Sequence, residues 1–393
     1  MRSRISKRVF LYISGFCAYA SSSVVFPIIA RYAIILGASE GEAGIIAGGF
    51  ALTTSLTMIP LGMLADRYGR FKVLVLGMLI FILTPFLYAL AGNFTQLFLA
   101  RLLHGLAMAL FVPASNALAI DLSPDKRGEA LGWIATFTML GYSVGPVMGG
   151  VVTSAYGYAS TFYFSSLIAV VGATSLIFLK GMRVRAKSSG MLERGAKTGF
   201  KAKRETVAAI ATPFFATFGG AIIGIFAIPL YLIRFGINVT MIGLLTTALF
   251  LSSAIVRLPA GKLSDSIGRR PVILLGLILE AIGVFGFLSP SFGVIALASI
   301  VTGIGMGLAN PAGFALLADI VSPRMRGFAM GTSSTSLQLG VFVGPAIMGF
   351  VASVYDYPAV FILTAITTMV AAFSIFLLIS STPSFPEENH GQI

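Results

Sequence analysis

The sequence predicts an all-α integral membrane protein with twelve transmembrane helices in two parallel six-helix repeats, and three observations predict it. Of 393 residues, 57% are hydrophobic and only 10% charged, with mean hydropathy +0.94, where an average soluble domain carries about 25% charged residues. Apolar stretches of about 20 residues, the length needed to cross a bilayer, recur along the whole chain. Motifs of the first half return 199 residues later in the second.

The composition excludes several classes. A chain this long and this apolar cannot cover a water-facing surface, and low hydrophobicity, the mark of disorder, is absent. A single cysteine, Cys17, forms no disulfide framework, and one Cys with two His leaves no structural zinc set. No metal or cofactor is therefore expected. The net charge of +13 would suggest nucleic acid in a soluble chain. Here the basic residues cluster between apolar spans, which reads as a topology signal and not as a nucleic-acid surface. Arg2, Arg4, Lys7 and Arg8 followed by an apolar run and Ala18-Tyr19-Ala20 imitate a secretory signal. The run continues to about Gly37, long enough to span, so the first helix is expected to stay in the mature chain.

The expected spans run at roughly 9–37, 44–64, 73–91, 97–120, 130–155 and 161–180, then 207–235, 240–263, 272–290, 292–318, 328–354 and 359–379. Barrel strands are shorter and alternate in polarity, so helices are the consistent reading. This divides the chain into a six-helix bundle at 1–180, a basic linker at 181–206 and a second bundle at 207–393. With both termini in the cytoplasm, 23 of the 27 Lys and Arg residues fall on that side. The bias predicts a multi-pass protein of the plasma membrane, N-in and C-in. The linker reads as a solvated tether, with anionic membrane lipid as the alternative partner.

The repeat is carried by three motifs. Pro60, Gly62, Asp66, Gly69 and Arg70 match Pro259, Gly261, Asp265, Gly268 and Arg269. The segment from Asp121 through Pro124 to Arg127 returns from Asp319 through Pro323 to Arg326, and Gly141, Gly145 and Pro146 match Gly340, Gly344 and Pro345. Six spans return the chain to the same side, so the halves are parallel, an arrangement suited to rocking about a midplane site. Glycines permit a tight reversal between the second and third spans, while an Asp can cap a helix and pair with a nearby Arg to form a latch. The alternative is a static loop brace.

Read together, these motifs resemble the major facilitator superfamily over nearly the whole chain. Gly62-Met-Leu-Ala-Asp66-Arg67-Tyr-Gly69-Arg70 is similar to that family's signature cytoplasmic loop. The resemblance implies that Asp66 and Arg70 work with Asp121, and that Asp265, Gly268, Arg269 and Asp319 form a second copy. Ser266 stands where the first copy has Arg67, which predicts a weaker second latch.

The fifth span carries Gly141, Gly145, Pro146, Gly149 and Gly150. Small residues four apart let helix backbones approach closely, and proline bends the helix. The run resembles the antiporter motif of the superfamily's exporters, more specifically of its twelve-span drug:proton branch. In the fourth span, Arg101 and His104 share one helical face. Ionisable residues inside a span are functional candidates by default. The pair resembles the family's Arg-x-x-Gln-Gly proton-coupling motif, with His104 in place of Gln and a side chain that titrates near neutrality. The bland reading of His104 is a neutral ring bonded to a hydroxyl or carbonyl.

Among fourteen acids only Glu280 lies well inside a span. It sits roughly 13 Å deep on the ninth span, and Arg257 lies roughly 9 Å deep on the antiparallel eighth. The depths suggest a Glu280–Arg257 ion pair, with a protonated carboxyl or a coupling site as alternatives. By family resemblance the cavity is lined by the first, fourth, seventh and tenth spans, which hold Arg31, Arg101, His104 and Arg234 but no interior acid. Tyr19, Ser21 to Ser23, Ser115, Asn116, Tyr231 and Asn310 are further polar candidates.

These features predict a secondary transporter exporting small organic molecules by alternating access, with protons as the coupling ion and the monomer as working unit. The charge inventory leans toward neutral or anionic substrates. An uptake symporter or facilitator for a sugar or organic anion is the alternative, in which the arginines become substrate ligands. No phosphate-binding Gly-rich loop is present. No cluster of acids, His or metal ligands supports an enzyme, so no catalytic residue is assigned.

Overall fold

The computed structural model describes residues 2–123, 126–179, 203–321 and 325–379, and among them all regular structure is helical. The first half holds α1 (Arg2–Val24), α2 (Ile29–Ile35), α3 (Glu40–Tyr68), α4 (Arg70–Leu90), α5 (Phe94–Leu122) and α6 (Arg127–Ile177). The second holds α7 (Lys203–Ala221), α8 (Ile228–Tyr231), α9 (Val239–Ile267), α10 (Arg269–Gly286), α11 (Phe292–Ile320) and α12 (Arg326–Leu378).

Helix starts follow the sequence. Ser39 and Glu42 form a reciprocal capping box at α3, with the Ser39 N–H donating to Glu42 at 2.7 Å. Asn93 accepts from the Gln96 N–H at 2.9 Å to cap α5, and Asn238 accepts from Met241 at 2.9 Å to cap α9. Gly69 and Gly268, with φ of 105° and 93°, make the one-residue reversals into α4 and α10.

The expected twelve crossings are present, though not as twelve plain helices. Nine helical runs among the described residues are long and apolar enough to cross a membrane. Helix α6, at 51 residues, would be about 75 Å long if straight, more than twice the bilayer's hydrocarbon core. It breaks at Gly157 (φ 82°), and the Thr153 and Thr161 hydroxyls meet at 2.7 Å across the break, so the chain doubles back there. Helix α12 breaks in the same way at Asp356 (φ 67°), 199 residues after Gly157. Each therefore supplies two crossings, and α10 supplies the twelfth.

Two spans expected as single runs are interrupted. The first is α1 and α2, joined by a turn at 25–28 around Pro27, which has no N–H to continue the ladder. The seventh changes from α7 into a π-helical segment, Ile222–Ala227, just before Pro229, then passes through α8 into a 3-10 turn, Leu232–Phe235. The linker expected at 181–206 lies outside the described residues as far as 202, and α7 is already helical from Lys203. Pro124 and Pro323 of the repeated loop also lie outside them.

Large apolar side chains such as Leu79, Leu90, Leu258 and Leu377 are exposed on the outer surface, as acyl chains allow. The side chains of Ser21, Ser22, Thr84 and Thr161 are instead buried within the first half.

Candidate functional site

A cavity of about 190 Å³ lies between the halves, with walls from both. Tyr19 of α1, Phe50 and Thr54 of α3, Met108 of α5 and Tyr142 of α6 face Thr217 of α7, Phe250, Ser253 and Arg257 of α9, Met306 of α11 and Gln338 of α12. Four methionines, Met58, Met108, Met139 and Met306, give much of the apolar wall a deformable surface. Arg257 is the only charged side chain among the described lining residues.

The halves close against each other at the end of the molecule away from Gly69 and Gly268. A Cβ on Gly44 would collide with the Pro345 carbonyl oxygen, and one on Gly243 with the Pro146 carbonyl oxygen. Gly44 and Gly243 are 199 residues apart, as are Pro146 and Pro345, so one contact is made twice about the pseudo-twofold. The Val147 N–H donates to the Thr247 hydroxyl at 3.1 Å, and the Thr240 hydroxyl donates to Ser154 at 2.9 Å along the same seam. Arg234 crosses it, pairing with Glu40 at 2.5 Å and Asp356 at 2.6 Å while its guanidinium lies 4.6 Å from the Tyr357 ring centre.

The fifth-span glycines serve two faces. Backbone and Ser23 atoms of α1 occupy the space where side chains of Gly141, Gly145 and Gly149 would stand. Gly150 instead faces α9, where a Cβ would come within 2.6 Å of the Val239 carbonyl oxygen. The motif thus packs α6 within its own half and, through Pro146 and Gly150, against the other.

The signature loop forms the expected ion pairs. Arg70 contacts Asp66 at 2.9 Å and Asp121 at 2.7 Å, tying α3, α4 and α5 together. In the second half Arg269 pairs with Asp265, with Asp319 at 3.0 Å and with the Ser264 hydroxyl at 2.6 Å. Arg67 is exposed and stands over the Tyr68 ring at 5.6 Å, so its replacement by Ser266 removes nothing from these ion pairs. Gly62 packs toward Pro113 of α5, at 3.5 Å from a built Cβ.

The remaining candidates lie outside the cavity wall. Arg101 is fully buried behind it, donating to the Ile46 carbonyl at 3.1 Å and to the Ala47 carbonyl, with its guanidinium 4.5 Å from the Phe50 ring centre. His104 is also fully buried, with Ser22 at 2.9 Å from Nε2 and Thr84 at 3.3 Å from Nδ1. Both contacts are hydroxyls, which a ring carrying one proton can satisfy on its two nitrogens. Arg31 lies within electrostatic reach of the Tyr158 phenol. Tyr231 packs against Phe235, Tyr357 and Phe361 beside Arg234, while Asn116 is exposed and Asn310 is buried on α11.

The suggested Glu280–Arg257 pair does not form. Glu280 turns toward α7, where its Oε1 accepts from the Gly220 N–H at 3.0 Å and its Oε2 has no partner among the described residues. Helices α10 and α11 are packed so closely that a Cβ on Gly305 would strike the Glu280 backbone, which fixes this carboxyl inside the second half. Arg257 turns into the cavity. The sequence held one signal for this: Arg257 is an ionisable side chain inside a span, and such a residue is a functional candidate by default.

The pattern of the Major Facilitator Superfamily matches residues 11–238 and 209–392. Multidrug resistance protein 2 of Bacillus subtilis is 26% identical over 369 residues, covering 90% of this chain and 92% of its own. Quinolone resistance protein NorA of Staphylococcus aureus is 24% identical, covering 88% and 90%. Among solved structures, a bacterial homologue of the human lysosomal transporter Spinster superposes with a TM-score of 0.83 at 19% identity, covering 96% of this chain and 97% of that one. Twelve crossings in two halves with repeated motifs around a central cavity, together with that family match, make this chain a member of the Major Facilitator Superfamily and a multi-pass membrane transporter.

Proposed function

We propose that this protein exports small organic molecules by alternating access, driven by proton antiport. The observation that carries the reading is a cavity walled by both halves and shut at one end by the paired Gly44–Pro345 and Gly243–Pro146 contacts. Rocking about a parallel pair of halves opens such a seam and exposes the cavity to the other side. The fifth-span glycine motif, which resembles that of exporters, and relatives named for multidrug and quinolone resistance favour the outward direction. The chain works as a monomer in the plasma membrane with both termini cytoplasmic, the halves at 1–180 and 207–393 being joined by the 181–206 tether. The seam then closes the outer end.

The site residues divide by place. Asp66, Arg70 and Asp121, with Asp265, Arg269 and Asp319, hold each half's cytoplasmic end as a unit. Arg101, His104 and Glu280 are the candidates for coupling, being buried ionisable groups within the spans. An uptake carrier for an organic anion is the second reading, favoured by Arg257 in the cavity.

The test is accumulation of a panel of anionic, neutral and cationic compounds in cells with and without expression, repeated with a protonophore. Export predicts lower accumulation, restored by the protonophore. Higher accumulation on expression overturns it in favour of uptake.

A further inference from the structure

We infer that Arg257 is the binding site for the acidic group of the substrate, and that the substrate is a small lipophilic organic anion. This inference rests on the transporter reading above and names the solute class that its cavity accepts.

A guanidinium inside a membrane protein ordinarily has an anionic or hydrogen-bonding partner, because removing it from water is costly. Arg257 has no such partner among the described residues, and its Nε is buried with no hydrogen bond. The one carboxylate at comparable depth, Glu280, is committed to the Gly220 N–H on another helix. What surrounds Arg257 is the cavity itself. The Tyr19 and Tyr142 phenols lie within electrostatic reach of it, with ring centres 6.0 Å apart in an edge-to-face pair.

The field in this space has one sign. No Asp or Glu is among the described lining residues, while Arg101 stands directly behind Phe50 and also acts on Tyr142. In a low-dielectric wall such charges act strongly on an incoming ion. An anion entering supplies the missing partner of Arg257, and a cation meets repulsion that no carboxylate among the described lining residues offsets. Arginine also presents a planar fork of donors that fits the oxygens of a carboxylate or sulfonate.

The rest of the cavity sets the body of the solute. Its volume of about 190 Å³ is of the order of the ~150 Å³ cavity that takes up benzene. Methionines and Phe250 supply apolar wall around the charge. The chemistry that fits is a single ring or short branched chain carrying one strong acid group.

The experiment uses the full-length protein and three probes of one size: benzenesulfonate, benzenesulfonamide and benzyltrimethylammonium. Equilibrium binding to detergent-purified protein is measured first, followed by protein-dependent flux in proteoliposomes. Benzenesulfonate is expected to bind and move at least about tenfold better than benzyltrimethylammonium. Arg257→Gln is expected to weaken benzenesulfonate binding about tenfold or more, Arg257→Lys to retain part of it, and Arg257→Glu to reverse the preference between the two ions. Size-exclusion profile and thermal midpoint identify a variant that misfolds, in which case Arg257→Lys and the wild-type charge preference decide. Unchanged benzenesulfonate binding in Arg257→Gln, equal or better handling of the cation by the wild type, or no binding of benzenesulfonate each overturn the inference. Failure of the export reading is separate: flux that ignores an imposed pH gradient overturns proton antiport but leaves Arg257-dependent binding intact.

Discussion

The two halves carry the same triad of charges at the same end, yet in different surroundings. Arg70 and Asp121 are 12% and 18% exposed, and Asp66 is 31% exposed. Their counterparts Arg269, Asp319 and Asp265 are 22%, 48% and 67% exposed. A half-buried ion pair leaves uncompensated charge when one member is removed, whereas an exposed pair is replaced by water at little cost. The first triad is therefore the more buried of the two, a difference that lies in its surroundings and not in Arg67. The loss of a basic residue at Ser266 is incidental, because Arg67 stands on Tyr68 and outside the triad.

The comparison can be broken most forcefully at the seam, where the halves are equivalent. Gly44→Ala and Gly243→Ala each place a methyl against a proline carbonyl. Each is expected to reduce transport about tenfold or more, and by similar amounts. Flux through the two variants in proteoliposomes tests this, and a large inequality shows that the pseudo-twofold does not extend to mechanics. At the charge triads the expectation is asymmetry: Arg70→Ala should cost about 2–3 kcal/mol of stability and Arg269→Ala about 1 kcal/mol or less. Equilibrium unfolding in mixed micelles ranks them, and equal losses would remove burial as the cause.

The helix breaks offer a third contrast. The first half reverses at Gly157, whereas the second uses Asp356 in backbone space that suits glycine, at φ 67° and ψ 175°. Such a residue stores about 1–3 kcal/mol, and here its carboxylate is held by Arg234. Asp356→Gly should therefore change stability by only about 1 kcal/mol, relief of strain offsetting part of the lost ion pair, while Asp356→Asn keeps the strain and loses the charge, and so unfolds first. The smallest effect belongs to Arg67→Ser, which copies the second loop into the first and should move stability by no more than about 0.5 kcal/mol.

Much of this was legible in the sequence, for identifiable reasons. Span count follows from the length of apolar runs, and the triads follow from short motifs whose partners lie at helix ends. The doubled breaks at Gly157 and Asp356 could be read only as span boundaries, because turning within a continuous helical run leaves no polar loop behind. The contents of the cavity were not legible. In a soluble helix the polar stripe shows which face meets water, but lipid and protein interior are both apolar, so sequence does not reveal which face of α9 or α11 meets the cavity. Depth alone therefore paired Arg257 with Glu280, while rotation about the helix axis sent one into the cavity and the other toward Gly220.

The π segment at Ile222–Ala227 gives that rotation a further consequence. Its wider turns accommodate one residue more than an α-helix of the same rise, and each residue of an α-helix turns the chain about 100°. If the segment relaxed to α geometry, Tyr231 and Arg234 would swing by about that angle relative to α7. An arginine so turned faces away from Glu40 and Asp356. One surplus residue, lodged just beyond the bond between Gly220 and Glu280, thereby sets the angle at which Arg234 meets Glu40 and Asp356 at the far end of the seam.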